Sequence, residues 1–119
     1  TTEQEALTMA KYERLFDDAS VPIIVVSAID YKITDANQSA LNLLKYDPEN
    51  LVDMDWENIF ARDVSEKTIN ELLQQVSSGN ARIETKLLDK NYKEINVRVL
   101  ANLVEVGNFR YIVMFFVQQ

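Results

Sequence analysis

The sequence contains neither cysteine nor histidine. Without cysteine there are no disulfides, thiol nucleophiles or thiolate metal ligands. Without histidine there is no imidazole general base, no imidazole metal ligand and no phosphohistidine. Glycine is almost as scarce, since Gly79 and Gly107 are the only two, and a glycine-rich loop around a nucleotide phosphate is therefore excluded. These absences remove most classes of enzyme and nucleotide-binding protein.

Long apolar runs and a net positive charge are also missing. The longest runs, Val21–Val26 and Tyr111–Val117, are far shorter than the ~20 residues of a membrane-spanning helix. The 19 acidic and 12 basic residues give a formal net charge of −7, which disfavours binding to nucleic acid or anionic lipid. We expect no nucleic-acid partner, no direct membrane insertion and a cytoplasmic location, although the parent protein could still be anchored to a membrane.

The 119 residues are 47% hydrophobic, enough for one domain with a core. A capping box formed by Thr2 and Glu5 begins a helix that extends to Ala19. We assign residues 1–20 to this N-terminal helix, with a role in dimerisation or capping, and residues 21–119 to the core domain. The helix carries an apolar stripe at helical spacing. The stripe consists of Ala6, Met9, Tyr12, Phe16 and Ala19.

Two strands and a series of helices follow. The β-branched run Ile23–Ala28 predicts a buried strand, and Lys32–Asp35 predicts a short second strand. Side chains suited to helix N-termini then predict three or four helices, the longest ending before Gly79. These caps are Asn37, Asp47 before Pro48, Asp55, and Asp63 with Glu66.

The last third of the chain predicts three antiparallel strands. Residues 94–103 alternate regularly, with Ile95 and Val97 on the apolar face. The final strand, Phe109–Val117, is apolar on both faces. We place Ile112, Met114 and Phe116 on its outward face and expect Met9, Tyr12 and Phe16 to cover them, in the same chain or in a second copy. The predicted fold is α+β: a five-stranded antiparallel sheet, helices on one face and an N-terminal flanking helix.

Several segments resemble the PAS family in order and spacing, from about Tyr12 to Val117. Ile33-Thr34-Asp35-Ala36-Asn37 is similar to the family's most recognisable block, with Asn37 as its signature asparagine. Phe16–Ile23, Asp47–Val52, Arg62-Asp63 and Ser78-Gly79 are similar to the segments that flank it. Two positions depart from the pattern, because PAS chains often have glycine where Tyr31 and Lys45 stand. In the polar turn Asp89–Lys93, Asn91 is the residue expected at a positive φ.

The resemblance implies a sensory module that binds a small ligand or relays a conformational signal to an effector domain in the parent chain, of which a histidine kinase is our first choice. The domain itself is not expected to be an enzyme. One alternative is a ligand-free homodimerisation or protein-interaction module. A second is a small α+β enzyme of the cone-shaped isomerase type, which the lack of a buried catalytic group disfavours.

The cofactors known in the family are limited by residue type. Histidine-ligated haem and cysteinyl flavin are excluded, whereas noncovalent flavin and haem held by Met54, Met114 or a tyrosine remain open. A small apolar ligand is the expectation, enclosed between the helices and the inner side of the sheet. Its predicted lining comprises Leu43, Leu44, Trp56, Ile59, Ile69, Leu72 and Leu73, with Asn96 and Tyr111 as polar anchors. No metal site is predicted.

Overall fold

The computed structural model describes residues 2–119, so residue 1 of the predicted N-terminal segment lies outside the described residues. Five antiparallel strands form one sheet in the order β2-β1-β5-β4-β3. The last strand of the chain therefore lies at the centre of the sheet, between the first and the fourth. The strands are β1 (Ile23–Ser27), β2 (Ile33–Ala36), β3 (Asn80–Leu88), β4 (Glu94–Val106) and β5 (Phe109–Gln118).

Four α-helices and one 3₁₀ turn complete the fold. The turn, Trp56–Ile59, lies between the third and fourth helices. The predicted order of elements and the α+β class are confirmed. The helices are α1 (Glu3–Asp18), α2 (Gln38–Leu44), α3 (Pro48–Leu51) and α4 (Ser65–Val76).

Three of the predicted helix caps are confirmed as hydrogen bonds. The Thr2 hydroxyl accepts from the Glu5 N–H at 3.1 Å, Asn37 Oδ1 accepts from the Ala40 N–H at 3.0 Å, and Asp55 Oδ1 accepts from the Glu57 N–H at 3.0 Å. Each side chain satisfies a backbone donor that the first helical turn leaves free.

The other two predicted caps differ from the structure. Asp47 occupies the N-cap position of α3 but makes no side-chain cap hydrogen bond. Asp63 does not cap α4, whose N-cap residue is Val64. The Asp63 carboxylate instead accepts from Lys86 Nζ at 2.8 Å. A hydrogen bond between two charged groups is stronger than one to a neutral N–H, so the lysine on β3 determines where this carboxylate points.

The hydrophobic core lies between the helices and the inner face of the sheet. Strand β4 follows its predicted alternation, with Ile95, Val97 and Val99 buried. The prediction that Ile112, Met114 and Phe116 face outward from β5 is wrong. These three are 0–1% exposed and face the core. Met114 lies beside Ile24 and Ala101, and this pairing on both sides determines which face of β5 is buried.

The opposite face of the sheet carries an apolar band, here called the outer strip. It runs along β5 and the adjacent part of β4, and the helices α2–α4 do not lie on this side. Leu100 and Val117 remain 37% and 43% exposed, and Phe115 pairs with Leu100 across the strands. The outer strip consists of Leu100, Val104, Phe109, Tyr111, Val113, Phe115 and Val117.

Within the described part of the chain, residues 2–119, four residues other than glycine have a positive φ. Tyr31 (58°) and Lys45 (63°) are the two positions where PAS chains often have glycine, and both keep the left-handed backbone that glycine favours. Asp53 (73°) and Tyr92 (64°) are the others. The prediction for Asn91 was wrong by one residue: Asp89 Oδ1 accepts from the N–H groups of residues 91 and 93, which places the left-handed residue at Tyr92.

Candidate functional site

The apolar residues predicted to line a pocket lie in one layer between the helices and the sheet. Leu44, Ile59 and Leu72 are fully buried and Trp56 is 3% exposed. Leu43, Ile69 and Leu73 are half-buried and pack against the same core. The seven side chains thus meet the inner face of the sheet as the helical spacing predicts. A role for them in ligand binding stays a prediction.

The two predicted polar anchors are not part of this layer. Asn96 is exposed and lies next to Lys86 on β3, whereas Tyr111 is half-buried in the outer strip next to Val104. Both side chains face away from the helices, because neighbours on a strand alternate between its two faces and Val97 and Ile112 occupy the inner one. Asn96 nevertheless borders the groove between α4 and the sheet, whereas Tyr111 lies in the outer strip. A role for either residue in ligand binding stays a prediction.

Thr68 and Thr85 form a part-buried polar contact that was not predicted from the sequence. Their hydroxyl oxygens are 2.6 Å apart, joining α4 to β3, and Thr68 is only 4% exposed. Both line a groove of about 560 Å³ beside Val64 and Val97. The available signal was the position of Thr68, four residues before Leu72 on the buried face of α4.

An aromatic stack closes the end of the core next to the β1–β2 hairpin. The rings of Tyr31 and Trp56 stack at a centroid distance of 5.2 Å, and Phe60 meets Trp56 edge to face at 6.5 Å. The backbone N–H of Trp56 also donates to the backbone carbonyl of Tyr31 at 3.0 Å. Tyr31 therefore contributes a side chain that glycine, common at this position in PAS chains, cannot supply.

The buried side chain of Asn37 connects the segment before β1 to the beginning of α2. Its Oδ1 accepts from the Ile23 N–H at 2.9 Å as well as from Ala40, and its Nδ2 donates to the Val21 carbonyl at 2.9 Å. The Ser39 hydroxyl donates to the Ser20 carbonyl at 2.8 Å. These bonds fix the segment that joins α1 to the sheet.

The titratable groups with shifted pKa values lie at the surface or near the turn between β3 and β4. A hydrogen bond from Lys86 lowers the pKa of Asp63, and the same bond raises the pKa of Lys86, whose Nζ is also 3.4 Å from Glu94. Burial raises the pKa of Tyr46, with smaller contributions from Tyr92 and Asp89. Within residues 2–119, no three acidic side chains are grouped closely enough to hold a metal ion.

Helix α1 makes little contact with the rest of its own chain. It contributes no buried residue, and Met9 and Tyr12 are 60% and 64% exposed. An apolar cleft of about 410 Å³ separates the helix from the sheet. The cleft is lined by Met9, Tyr12, Glu13, Phe16, Val25 and Asp35. The helix reaches one corner of the outer face of the sheet and leaves the outer strip open.

No helix among residues 2–119 combines the length and the apolar character needed to cross a membrane.

A five-stranded antiparallel sheet with an apolar core between it and the helices defines the fold class of the domain. Among residues 2–119, the buried polar side chains serve as a helix cap (Asn37), a turn (Asp89) and a link between α4 and β3 (Thr68). The chain belongs to the PAS domain family, whose family model matches residues 20–118. No curated protein sequence matches the chain.

Solved PAS domains have the same fold at low sequence identity. A PAS domain from a two-component sensor histidine kinase superposes with a TM-score of 0.81 at 14% identity, covering 99% of this chain and 100% of that one. The PAS domain of an HTR-like protein from Haloarcula marismortui superposes with a TM-score of 0.82 at 16% identity, covering 98% of this chain and 96% of that one. A domain of a sensory box sensor histidine kinase/response regulator from Geobacter sulfurreducens gives 0.75 at 21% identity, with 98% of each chain covered.

Proposed function

We propose that this PAS domain works as a homodimer that relays a conformational signal to an effector domain of its parent protein. One observation carries the proposal: α1 and the outer strip are two apolar surfaces that both remain open in the single chain. Large exposed apolar surfaces on a folded domain are usually interaction sites. Burying three side chains of the α1 stripe would contribute on the order of 5–8 kcal/mol before entropic costs.

The position of α1 suits it for relaying a signal. It joins β1 through the segment that Asn37 and Ser39 hold, and the Phe116 N–H donates to the Pro22 carbonyl in the same segment at 3.1 Å. A change in how α1 packs would therefore act on the end of β5. The resemblance to PAS domains of sensor histidine kinases makes such a kinase the effector that we propose. A cytoplasmic location stays a prediction.

Removal of residues 1–19 tests the dimer. Light scattering should show a concentration-dependent dimer for the intact chain and a monomer, or an aggregating species, for the shortened one. The double substitution Met9→Ser with Tyr12→Ser should have the same effect without shortening the chain. Val52→Ser is the matched control, because Val52 is 37% exposed at the end of α3 and lies outside α1 and the outer strip. A soluble shortened protein with unchanged mass and melting temperature would refute the proposal.

A second candidate function is binding of a small ligand between α4 and the sheet. The observation in its favour is the Thr68–Thr85 hydroxyl pair in the groove between α4 and the sheet. Charged and polar side chains line the rest of this groove, among them Lys67, Glu71 and Asn96, so a polar ligand would fit it better than an apolar one. One similar structure is described as a PAS domain in complex with ethanol, from a LuxR-family transcriptional regulator of Burkholderia thailandensis, with a TM-score of 0.71 at 12% identity. Native mass spectrometry of freshly purified protein tests this candidate, because a retained small molecule would add a fixed mass.

A further inference from the structure

We propose that the cleft between α1 and the sheet binds a small organic cation, in which an ammonium or amidinium group is attached to an alkyl or aryl body. The cleft shares no lining residue with the groove between α4 and the sheet, so it is a separate site from that of the second candidate function. All of its lining residues belong to one chain. The proposal therefore does not depend on the homodimer.

The body of the cleft is apolar, and both α1 and β1 contribute to it. Met9, Tyr12 and Phe16 line it from the helix, where a spacing of three and four residues places them on one side. Val25 lines it from β1. Its volume of about 410 Å³ falls within the range of ~300–1,000 Å³ that is usual for small-molecule sites. The cleft can thus hold the apolar part of a ligand.

The charged side chains that line the cleft are both acidic, and they lie on opposite walls. Glu13 is on α1, whereas Asp35 is on β2 and pairs with Val25 across the two strands. No ion pair within residues 2–119 includes Glu13 or Asp35. The positions three and four residues from Glu13 along the helix hold no lysine or arginine either. The cleft therefore carries two negative charges that no cation of its own lining balances.

The aromatic rings of the helix wall add a second attraction for a cation. Tyr12 and Phe16 are one helical turn apart, and the face of an aromatic ring attracts an ammonium group within about 6 Å. On the opposite wall, the Thr34 hydroxyl donates to Asp35 Oδ2 at 3.0 Å and so orients the carboxylate. A ligand that is both positively charged and apolar would use every part of this lining. A neutral or an anionic ligand with the same body would not.

A bare metal ion fits the cleft less well than an organic cation. The lining supplies two carboxylates among apolar side chains, whereas hard metal ions prefer six or more oxygen ligands. An organic cation bound here would contact the helix and the sheet together and would hold α1 against β1 and β2. Binding should accordingly be visible at both walls of the cleft.

Three probes with the same apolar body separate the effect of charge from that of hydrophobicity: phenylbutylammonium, phenylbutanol and phenylbutyrate. Each is titrated into the full chain, and binding is followed by the backbone amide signals in NMR spectra. We expect the ammonium probe to bind about tenfold more tightly than the alcohol, since it gains two carboxylate contacts. The carboxylate probe should not bind. The signals of α1, Val25 and Asp35 should shift most.

Neutral variants of the two acids test the site itself. Glu13→Gln and Asp35→Asn should each weaken binding of the ammonium probe by about threefold and leave that of the alcohol unchanged. The double variant should bind the two probes equally. Tyr12→Leu keeps an apolar side chain without the ring, so it should weaken binding of the ammonium probe more than that of the alcohol. Glu66→Gln is the matched control, because it removes the same charge from an exposed position on α4, outside the cleft.

Several results would overturn the proposed site. These are no binding of the ammonium probe, equal binding of all three probes by the native chain, and an ammonium affinity that the double variant leaves unchanged. Shifts confined to α4 and β3 would place the probe in the groove between α4 and the sheet, and would also overturn the site. None of these results bears on the homodimer, which the light-scattering experiment tests separately.

Discussion

Asn37 Oδ1 accepts a 2.9 Å hydrogen bond from the backbone N–H of Ile23, fourteen residues earlier in the chain. The same oxygen caps α2, and the amide nitrogen of the side chain donates to the Val21 carbonyl. One fully buried side chain therefore serves three backbone groups that belong to two different elements. No shorter or charged side chain can replace it without leaving a buried polar group unpaired.

Replacing Asn37 by alanine should lower the free energy of unfolding by about 3 kcal/mol, because a helix cap is lost and buried backbone groups at Val21 and Ile23 lose their partner. Asn37→Asp should also destabilise the domain. It keeps the acceptor for Ile23 and Ala40 but buries a charge and sets a carboxylate oxygen against the Val21 carbonyl. Urea denaturation measures both. Asn42→Ala is the control: Asn42 is exposed on the same helix and should cost less than about 1 kcal/mol. Equal losses at residues 37 and 42 would contradict this account.

Lys45→Gly should stabilise the domain. Lys45 ends α2 with φ 63° and its side chain is exposed, so glycine removes a left-handed strain of about 1–2 kcal/mol. Part of this gain is offset by the larger unfolded-state entropy of glycine, which leaves about 0.5 kcal/mol.

The melting temperature of the Lys45→Gly variant should accordingly rise by a few degrees. Lys45→Ala keeps the strain and should show no rise. Asn42→Gly, within α2, should lower the melting temperature instead. A Lys45→Gly variant no more stable than Lys45→Ala would mean that the left-handed backbone at this residue carries no strain.

The Thr68–Thr85 pair gives a non-additive prediction. Thr68→Val should destabilise by about 1 kcal/mol, because it removes the partner of the half-buried Thr85 hydroxyl. Thr85→Val should cost a similar amount. The double variant should be nearly as stable as the native chain, since both polar groups are then replaced by methyl groups of the same shape. Thermal unfolding of the four proteins in a double-mutant cycle measures the coupling, and simple additivity of the two single effects would contradict it.

The ion pair of Asp63 and Lys86 predicts a small dependence of stability on pH. The pKa of Asp63 is lowered in the folded state, so its contribution is fully present above the ordinary aspartate pKa and is lost as the pH falls through the folded value. The melting temperature of the native chain should therefore exceed that of Asp63→Asn near neutral pH, and the difference should shrink in acid. Both groups lie at the surface, so added salt should reduce the difference as well. A difference in melting temperature that does not change with pH would exclude the ion pair as the cause of that difference.

Much of the fold could be predicted from local patterns. The caps at Thr2, Asn37 and Asp55 act within one helical turn, and the alternation along β4 has one polar face. Such features depend on neighbours a few residues away, which the sequence displays directly. Less of the candidate site could be predicted from the sequence. The apolar side chains of α4 and of the 3₁₀ turn were found from their spacing, whereas Thr68 was missed because its partner Thr85 lies seventeen residues further on.

The sequence by itself determined the order of the elements, the buried face of α4 and the exclusion of histidine and cysteine chemistry. Only the tertiary structure decided which side of β5 faces the core, because both of its faces are apolar and periodicity carries no preference between them. Pairing with β1 and β4 placed Met114 inside and Phe115 outside. The tertiary structure also decided the partner of Asp63, whose carboxylate binds Lys86 instead of capping α4. A hydrogen bond between charged groups is strong, but its lysine lies far away in the sequence and comes near only in the folded chain.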